Sequence, residues 1–223
     1  MGYKEAKINF YPDRITYIGN KLEGISEEAK QEIEDRLGTD FSLDDYLANE
    51  SEELIIMMSW EHPVMQRSAE FVCENGGDIL EIGFGMGIAS DYIQSYNPNS
   101  HTIIEMHPEL AEKAREWASN KVNVTIIEGD WIEEVSELGK FDGIFFDAYG
   151  VFGHWGEFAS SIANNTKEGC HITFWNASNG EFAEGCGFDD SYNITYERID
   201  VEPDPQPNPY YLFKSYLMPK VVV

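Results

Sequence analysis

The strongest constraint on the fold is a regular alternation, after residue 53, of short apolar runs with helix-length segments. The runs are rich in β-branched and aromatic residues and lie between turn residues, so they predict strands at 79–82, 102–105, 122–127, 143–147 and 171–175. Helices are predicted at 62–73, 87–96, 108–119, 131–138 and 155–164. Such alternation predicts an α/β fold, a mostly parallel sheet with helices on both faces.

The C-terminal segment departs from this alternation. Two extended runs, 193–199 and 210–217, are separated by residues 202–209, in which every second residue from Pro203 to Pro209 is proline. A connection this rich in proline is polyproline-like and cannot belong to a sheet interior. We therefore expect an antiparallel C-terminal pair that completes a sheet of seven strands.

The N-terminal segment is acidic. Between Glu23 and Glu53 there are twelve acidic and two basic residues, with apolar positions at helical spacing. Ser26 is typical of a helix start and Gly38 of a stop, which predicts a helix there and a second, short one at 42–48. We expect residues 1–56 to form an acidic helical cap or lid on a main domain at 57–223.

The charge of the chain limits its partners. Its 15 basic and 41 acidic residues give a formal charge of −26, while 42% hydrophobic residues suffice for a core. Such a surface repels phosphate backbones and anionic headgroups, so we expect that neither nucleic acid nor a membrane is a partner. We expect the substrate to be a small molecule that is cationic or neutral. The alternative explanation is that the acidity only keeps the protein soluble.

The cysteines and the N-terminus indicate the compartment. Cys73, Cys170 and Cys186 form an odd set without C-x-x-C spacing, which predicts neither disulfides nor a zinc site, and we expect no metal. No basic start followed by an apolar run is present, and no later run is long enough for a membrane span. A cytoplasmic protein with reduced thiols is expected.

A glycine-rich turn carries the clearest functional signal. It follows the predicted strand at 79–82 and contains Gly83, Phe84, Gly85, Met86, Gly87 and Ile88. Without side chains, such a turn lets a ligand approach backbone N–H groups at the start of a helix. The dinucleotide fingerprint requires a third glycine where this chain has Ile88, so G-x-G-x-G after Glu81 favours S-adenosylmethionine over NAD. The alternative is a purely structural turn.

Further candidates lie where predicted strands end or helices begin. Glu105, 22 residues after Gly83, is placed to accept ribose hydroxyls, although a solvated strand end is the alternative. Asp130 and Trp131 follow the third strand, where the indole either brackets an adenine or joins the core. Asp147 ends the fourth strand at the edge where this architecture binds ligands, and Glu61 precedes a helix start at which an acid is otherwise common.

Three segments together resemble the guanidinoacetate N-methyltransferase family and its relative, the fungal protein arginine delta-N-methyltransferase. These are M-M-S-W-E-H-P-V-M at 57–65, L-E-I-G-F-G-M-G-I at 80–88 and F-D-G-I-F-F-D-A-Y at 141–149. The segments at 103–108 and 128–131, the tyrosines at 210–211 and Met218-Pro219 are also similar, so the resemblance covers about residues 57–223.

The resemblance implies a Rossmann-like class I methyltransferase that converts S-adenosylmethionine to S-adenosylhomocysteine. It implies that Glu61 and Asp147 bind the guanidino group of a small acceptor such as guanidinoacetate and act as the catalytic carboxylates. It implies that the acceptor carboxylate is bound by backbone N–H groups at Ala177 and Ser178. It also implies cofactor contacts at Met57, Met65, Gly83, Phe84, Gly85, Met86, Gly87, Ile88, Glu105, Met106, Asp130 and Trp131.

Two departures from the family leave the acceptor open. No tryptophan precedes Trp60, whereas family members acting on guanidinoacetate cover the site with one, and Ala148 stands where a threonine is usual. A protein arginine or another small amine is the alternative acceptor, although the short segment before Met57 favours a small molecule. The sequence is also compatible with a cofactor-binding module without catalysis and, less well, with an NAD-dependent oxidoreductase. A monomer or homodimer is expected.

Overall fold

The computed structural model describes residues 3–19, 52–149, 155–176, 186–189, 191–203, 211 and 213–223. The first three strands are β1 (Ile8–Phe10), β2 (Arg14–Gly19) and β3 (Glu52–Met58), and they form a small antiparallel sheet in the order β1-β2-β3. This small sheet was not predicted, because short strands distant in sequence leave little periodic signal. The helices predicted around 26–38 and 42–48 lie outside the described residues.

The main sheet has seven strands in the order β6-β5-β4-β7-β8-β10-β9. Strands β4 to β8 pair in parallel, whereas β10 pairs antiparallel with both β8 and β9. The predicted mostly parallel sheet with an antiparallel C-terminal pair is therefore confirmed. The strands are β4 (Asp78–Ile82), β5 (Ser100–Glu105), β6 (Val124–Glu128), β7 (Phe141–Phe146), β8 (Thr166–Phe174), β9 (Asn193–Asp200) and β10 (Ser215–Val222).

Helices cover both faces of this sheet, as predicted. Successive residues of β4 point to opposite faces, so Ile79 and Leu80 pack into two different apolar clusters. The first cluster includes residues of the helices at 62–72 and 88–95, and the second includes residues of the helices at 131–134 and 158–162. The helices are α1 (His62–Val72), α2 (Ile88–Ser95), α3 (Pro108–Ala118), α4 (Trp131–Glu134) and α5 (Phe158–Ile162).

Most boundaries differ from the sequence prediction by a few residues, and β8 begins at Thr166 rather than at residue 171. The helix predicted at 131–138 becomes the short α4 followed by a 3-10 turn, and the one predicted at 155–164 becomes α5 between two 3-10 turns. The last strand begins at Ser215 rather than at residue 210. Tyr211 is not part of this strand. Its ring stacks on Trp60, with 5.5 Å between ring centroids, and its hydroxyl donates to the backbone oxygen of Ser215 at 2.8 Å.

Candidate active site

The carboxyl ends of the parallel strands bring the predicted site residues to one edge of the main sheet. There, the first backbone N–H after a strand donates to the end of a neighbouring strand. These bonds run from Gly83 to Ile104 at 2.8 Å, Gly129 to Glu105 at 3.1 Å, Asp147 to Ile82 at 2.8 Å and Trp175 to Phe146 at 2.9 Å. The glycine turn, Glu105, Asp147 and Trp175 therefore share this edge, as expected for a ligand site in such a fold.

The glycine turn has a backbone conformation that requires glycine. Gly83 and Gly85 have φ values of 94° and 53°, and Gly87, which precedes α2, has 75°. A Cβ on Gly83 would lie 2.2 Å from the backbone oxygen of Asp147. The turn therefore follows a path that other residues adopt only with strain, and it leaves its backbone open to close approach.

Glu105 is bound to this turn in the structure. Its side chain is buried and accepts hydrogen bonds from the backbone N–H groups of Phe84 at 2.9 Å and His107 at 2.8 Å. Burial raises the pKa of the Glu105 carboxyl, and these backbone donors partly oppose that effect. The predicted ribose-binding acid thus also fixes the conformation of the glycine turn.

The other predicted cofactor residues on this side contribute in different ways. The sulfur of Met57 lies 3.3 Å from the backbone nitrogen of Met86 and borders Gly85. The ring of Phe84 instead packs against Trp117, with 5.7 Å between ring centroids. The same ring lies against Gly87, so the Phe84 side chain packs between the glycine turn and α3. Side chains that join or pack against the main apolar cluster are Met65, Ile88 and Met106.

Trp131 and Asp130 lie beyond β6, at the start of α4. Asp130 caps this helix by accepting from the backbone N–H of Ile132 at 3.2 Å. The Trp131 ring is 2% exposed and lies edge-on to Phe146 and Phe158. Its indole Nε1 is a buried side-chain donor without a hydrogen-bond partner among the described residues. A buried donor of this kind is costly unless a ligand or water accepts from it.

The two predicted catalytic acids come from different sheets. Asp147 follows β7 of the main sheet, whereas Glu61 ends the 3-10 turn that joins β3 of the small sheet to α1. Glu61 is buried, and its Oε1 accepts from the backbone N–H of Met58 at 2.7 Å. Burial raises the pKa of Tyr216 well above its ordinary value, and the charges of Asp147 and Glu61 raise this pKa further, so both acids lie within electrostatic range of the Tyr216 hydroxyl.

The Asp147 carboxyl has a strongly shifted proton affinity. Burial, together with the charges of Glu81 and Glu105, raises its pKa from an ordinary 3.8 to about 7. Glu81 itself is buried and accepts from the Ser90 hydroxyl and from Nε2 of His101, both within 3 Å. A carboxyl with a pKa near neutrality is suited to exchange a proton with a substrate.

Sequence reasoning did not identify two aromatic groups at this edge. Tyr3 from the N-terminal segment packs against Tyr17, His107 and Tyr149, with ring centroids 5.1–5.2 Å apart. Nε2 of His107 donates to the backbone oxygen of Ala6 at 2.8 Å, which fixes this segment beside Glu105. The other group contains Trp60, Trp175, Tyr211 and Tyr216. The position of Trp175 as the last residue of the strand predicted at 171–175 was the available signal.

The predicted binding site for an acceptor carboxylate is only partly described. Ala177 and Ser178 lie outside the described residues. Asn176, just before them, is buried, and its backbone N–H donates to the Tyr216 hydroxyl at 2.7 Å. Within the described ranges, no group of three histidine, cysteine or acidic side chains is placed to bind a metal ion.

Solved structures share this fold. The N-methyltransferase NodS from Bradyrhizobium japonicum, solved with S-adenosylhomocysteine, has a TM-score of 0.57 at 15% identity and covers 73% of this chain and 87% of that one. A putative methyltransferase from Escherichia coli has a TM-score of 0.56 at 11% identity and covers 78% and 93%. Strand order, glycine turn and this likeness show the fold of the class I methyltransferases.

The sequence comparisons specify the family. A model of guanidinoacetate N-methyltransferase matches residues 44–183, and the chain belongs to this family. Protein arginine N-methyltransferase 2 from Aspergillus oryzae is 32% identical over 191 residues, which are 74% of this chain and 45% of that protein. Its Saccharomyces cerevisiae counterpart is 37% identical over 117 residues, 48% of this chain and 28% of that protein. The chain thus spans less than half the length of these relatives.

The residues present fit S-adenosylmethionine, the cofactor of this class. The glycine turn offers backbone that only glycine can form, Glu105 borders it, and the unpartnered Nε1 of Trp131 is a donor for a ligand atom. Glu61 and Asp147 are not needed for that fit.

Proposed function

We propose that this protein transfers a methyl group from S-adenosylmethionine to a guanidino nitrogen. The observation that carries the proposal is that Asp147 follows β7 at the edge that bears the glycine turn, while Glu61 follows Met57, whose sulfur contacts that turn. Both acids also lie within electrostatic range of the Tyr216 hydroxyl. Asp147 is in backbone contact with that turn through Gly83, so an acceptor bound by Asp147 lies beside the cofactor-binding residues.

Two carboxylates suit a guanidinium better than most other groups. The guanidinium is planar and presents N–H donors in a fork, which carboxylates can bind from two directions. S-adenosylmethionine, when bound, supplies an activated methyl group. The acids orient the attacking nitrogen, which lowers the entropic cost of reaction, and Asp147 accepts the proton that this nitrogen loses. A pKa near 7 makes the Asp147 carboxyl an effective proton acceptor at neutral pH.

The acceptor is either a small guanidino compound or an arginine side chain. The matching family model favours guanidinoacetate, and the names of the curated relatives favour protein arginine. Both acceptors carry the same guanidino group, so the proposed roles of Glu61 and Asp147 apply to either. The runner-up acceptor is another small amine, and a module that binds the cofactor without catalysis is the competing non-enzymatic function.

The test is methyl transfer from labelled S-adenosylmethionine to a panel of acceptors. The panel contains guanidinoacetate, free arginine, glycine and a cell extract as a source of protein arginine. Label in guanidinoacetate or in protein arginine supports the proposal and identifies the acceptor. Label in glycine alone would support a small amine as the acceptor, and tight S-adenosylhomocysteine binding without any transfer would support the non-catalytic module.

We further propose a cytoplasmic protein that acts as a monomer or homodimer and does not bind nucleic acid or membranes. The formal charge of −26 opposes binding to phosphate backbones, and all three cysteines are buried and unpaired. Among the described residues, no helix is long and apolar enough to cross a membrane.

A further inference from the structure

The acids alone do not explain selection of a guanidinium. Two carboxylates attract an ammonium group as well, because both cations carry a full positive charge. The cations differ in shape and hydration: a guanidinium is flat, weakly hydrated and stacks on aromatic rings, whereas an ammonium is compact and strongly hydrated. A site that selects a guanidinium therefore benefits from an aromatic surface beside the acids.

Such a surface exists in the aromatic group of Trp60, Trp175, Tyr211 and Tyr216. Three of its members are at least nine-tenths buried, and Trp175 is the partly exposed one. The backbone N–H of Trp175 donates to the oxygen of Phe146, the residue just before Asp147. Trp60 directly precedes Glu61 in the chain. The aromatic group therefore lies next to both acids.

The backbone around Trp175 is held by the hydroxyl of Tyr216. This hydroxyl accepts from the backbone N–H of Asn176 at 2.7 Å and donates to the backbone oxygen of Phe174 at 3.2 Å. It thus binds the residue on each side of Trp175. The two rings also contact each other, with centroids 5.1 Å apart.

Pro219 explains why a side-chain hydroxyl, and not a backbone N–H of β10, donates to the backbone oxygen of Phe174. The pairing of β10 with β8, continued from Val221 and Ile172, places Pro219 opposite Phe174. The backbone oxygen of Pro219 points toward β8, because it accepts from the Thr173 hydroxyl at 2.6 Å. The nitrogen of Pro219 faces the same way and has no hydrogen to donate. The Tyr216 hydroxyl donates to the backbone oxygen of Phe174 instead.

We propose that Trp175 determines specificity for a planar, delocalised cation, and that Tyr216 is the residue that positions it. The indole forms the wall against which the acceptor's guanidinium lies while Glu61 and Asp147 bind its N–H groups. This inference rests on the proposed function, and it applies equally to guanidinoacetate and to an arginine side chain.

The test compares methylguanidinium with methylammonium, two small monocations without a carboxylate, as ligands of protein saturated with S-adenosylhomocysteine. Calorimetry gives the ratio of their dissociation constants. In Trp175→Leu we expect the preference for methylguanidinium to fall about tenfold, whereas Trp175→Phe keeps it within about threefold. Tyr216→Phe weakens methylguanidinium binding several-fold. Tyr96→Leu, at an exposed aromatic residue after α2, serves as the control.

Binding of S-adenosylhomocysteine shows that each variant is folded. If Trp175→Leu loses that binding, Trp175→Met, which fills more of the volume, replaces it. An unchanged preference in the folded non-aromatic variant overturns the inference. The proposed function fails on a different result, which is that the wild-type protein transfers no methyl group to any guanidino acceptor. In that case the preference for methylguanidinium binding can still depend on Trp175, so the two failures are distinguishable.

Discussion

The backbone oxygen of Asp147 lies 2.2 Å from the point that a Cβ on Gly83 would occupy. The residue that begins the cofactor turn and the residue proposed to accept the proton are thus in van der Waals contact through their backbones. A shift of one backbone toward the other is blocked by this contact, which couples the position of the glycine turn to that of the proposed acceptor site.

Substitution of the glycines should therefore have graded effects. Gly83→Ala places a Cβ against backbone at a φ of 94°, so we expect a loss of roughly 3–10 °C in Tm and at least tenfold weaker binding of S-adenosylhomocysteine. Gly85→Ala meets only the flexible end of Met57 and should be milder. Gly139→Ala meets no atom within 4 Å and is the control. Thermal melting and calorimetry decide the order, and equal effects at Gly83 and Gly139 would contradict it.

Removal of either carboxylate charge should stop catalysis without loss of the cofactor. We expect Asp147→Asn and Glu61→Gln each to lower kcat/KM by at least about a hundredfold, because each removes a charge that orients the acceptor or takes its proton. Glutamine keeps an oxygen for the bond from Met58, so the turn before α1 should persist. Glu112→Gln, at an exposed position, is the control. A large loss of S-adenosylhomocysteine binding in either variant would show that the roles are assigned wrongly.

The rate should rise with pH through neutrality. The Asp147 carboxyl has a raised pKa of about 7, so the ionised form that accepts a proton accumulates as the pH increases past that value. A bound cation favours the ionised form, and kcat should therefore reach its plateau at lower pH than kcat/KM. Steady-state rates between pH 6 and 9 test this, and a rate that falls over pH 6–8 would be inconsistent with Asp147 as the base.

The same pKa shift has a consequence for stability. An acid whose pKa is about 7 when folded and about 3.9 when unfolded binds its proton more tightly in the folded state. Its contribution to the free energy of unfolding is therefore lost as the pH rises from about 4 to 7. Asp147→Asn, which has no proton to lose, should gain stability relative to wild type over that interval. Urea unfolding at pH 5 and pH 8 measures the change, and a gain that is larger at pH 5 would refute this sign.

Substitution of Trp131 should affect the stability of the free protein and that of its complex with S-adenosylhomocysteine differently. Trp131→Phe keeps an aromatic ring against Phe146 and Phe158 but removes the unpartnered Nε1 donor. We expect Tm without ligand to stay within a few degrees and the increase in Tm caused by S-adenosylhomocysteine to shrink. An undiminished increase would mean that the indole donor does not serve the cofactor.

Much of the fold follows from local sequence. The strands around Leu80 and Ile144 are short apolar runs buried on both faces, and this pattern is strong enough to predict a parallel sheet. The same reasoning predicts the edge that bears Gly83, Glu105 and Asp147, because parallel strands present their carboxyl ends together.

The unpredicted features depend on contacts between distant segments. The pairing of β2 with β3 brings Tyr17 opposite Leu54, and no local periodicity encodes that partner. Likewise, the role of the Tyr216 hydroxyl depends on Pro219 facing β8, which becomes visible only once the strand register is known. The sequence predicted that Trp175 lies at the end of a strand, but it did not identify the aromatic rings that Trp175 contacts.

The small sheet leads through one 3-10 turn to Glu61, and its strands are joined where the backbone N–H of Ser59 donates to the oxygen of Asp13 at 2.8 Å. One acid of the pair is thus supplied by the N-terminal sheet and the other by the cofactor-binding sheet. The proposed acceptor site is therefore divided between the two sheets, because Asp147 and Trp175 follow strands of the main sheet. The stretch before residue 62 also carries Met57, whose sulfur contacts the glycine turn, so exchange of that stretch between family members is expected to change acceptor and cofactor binding together.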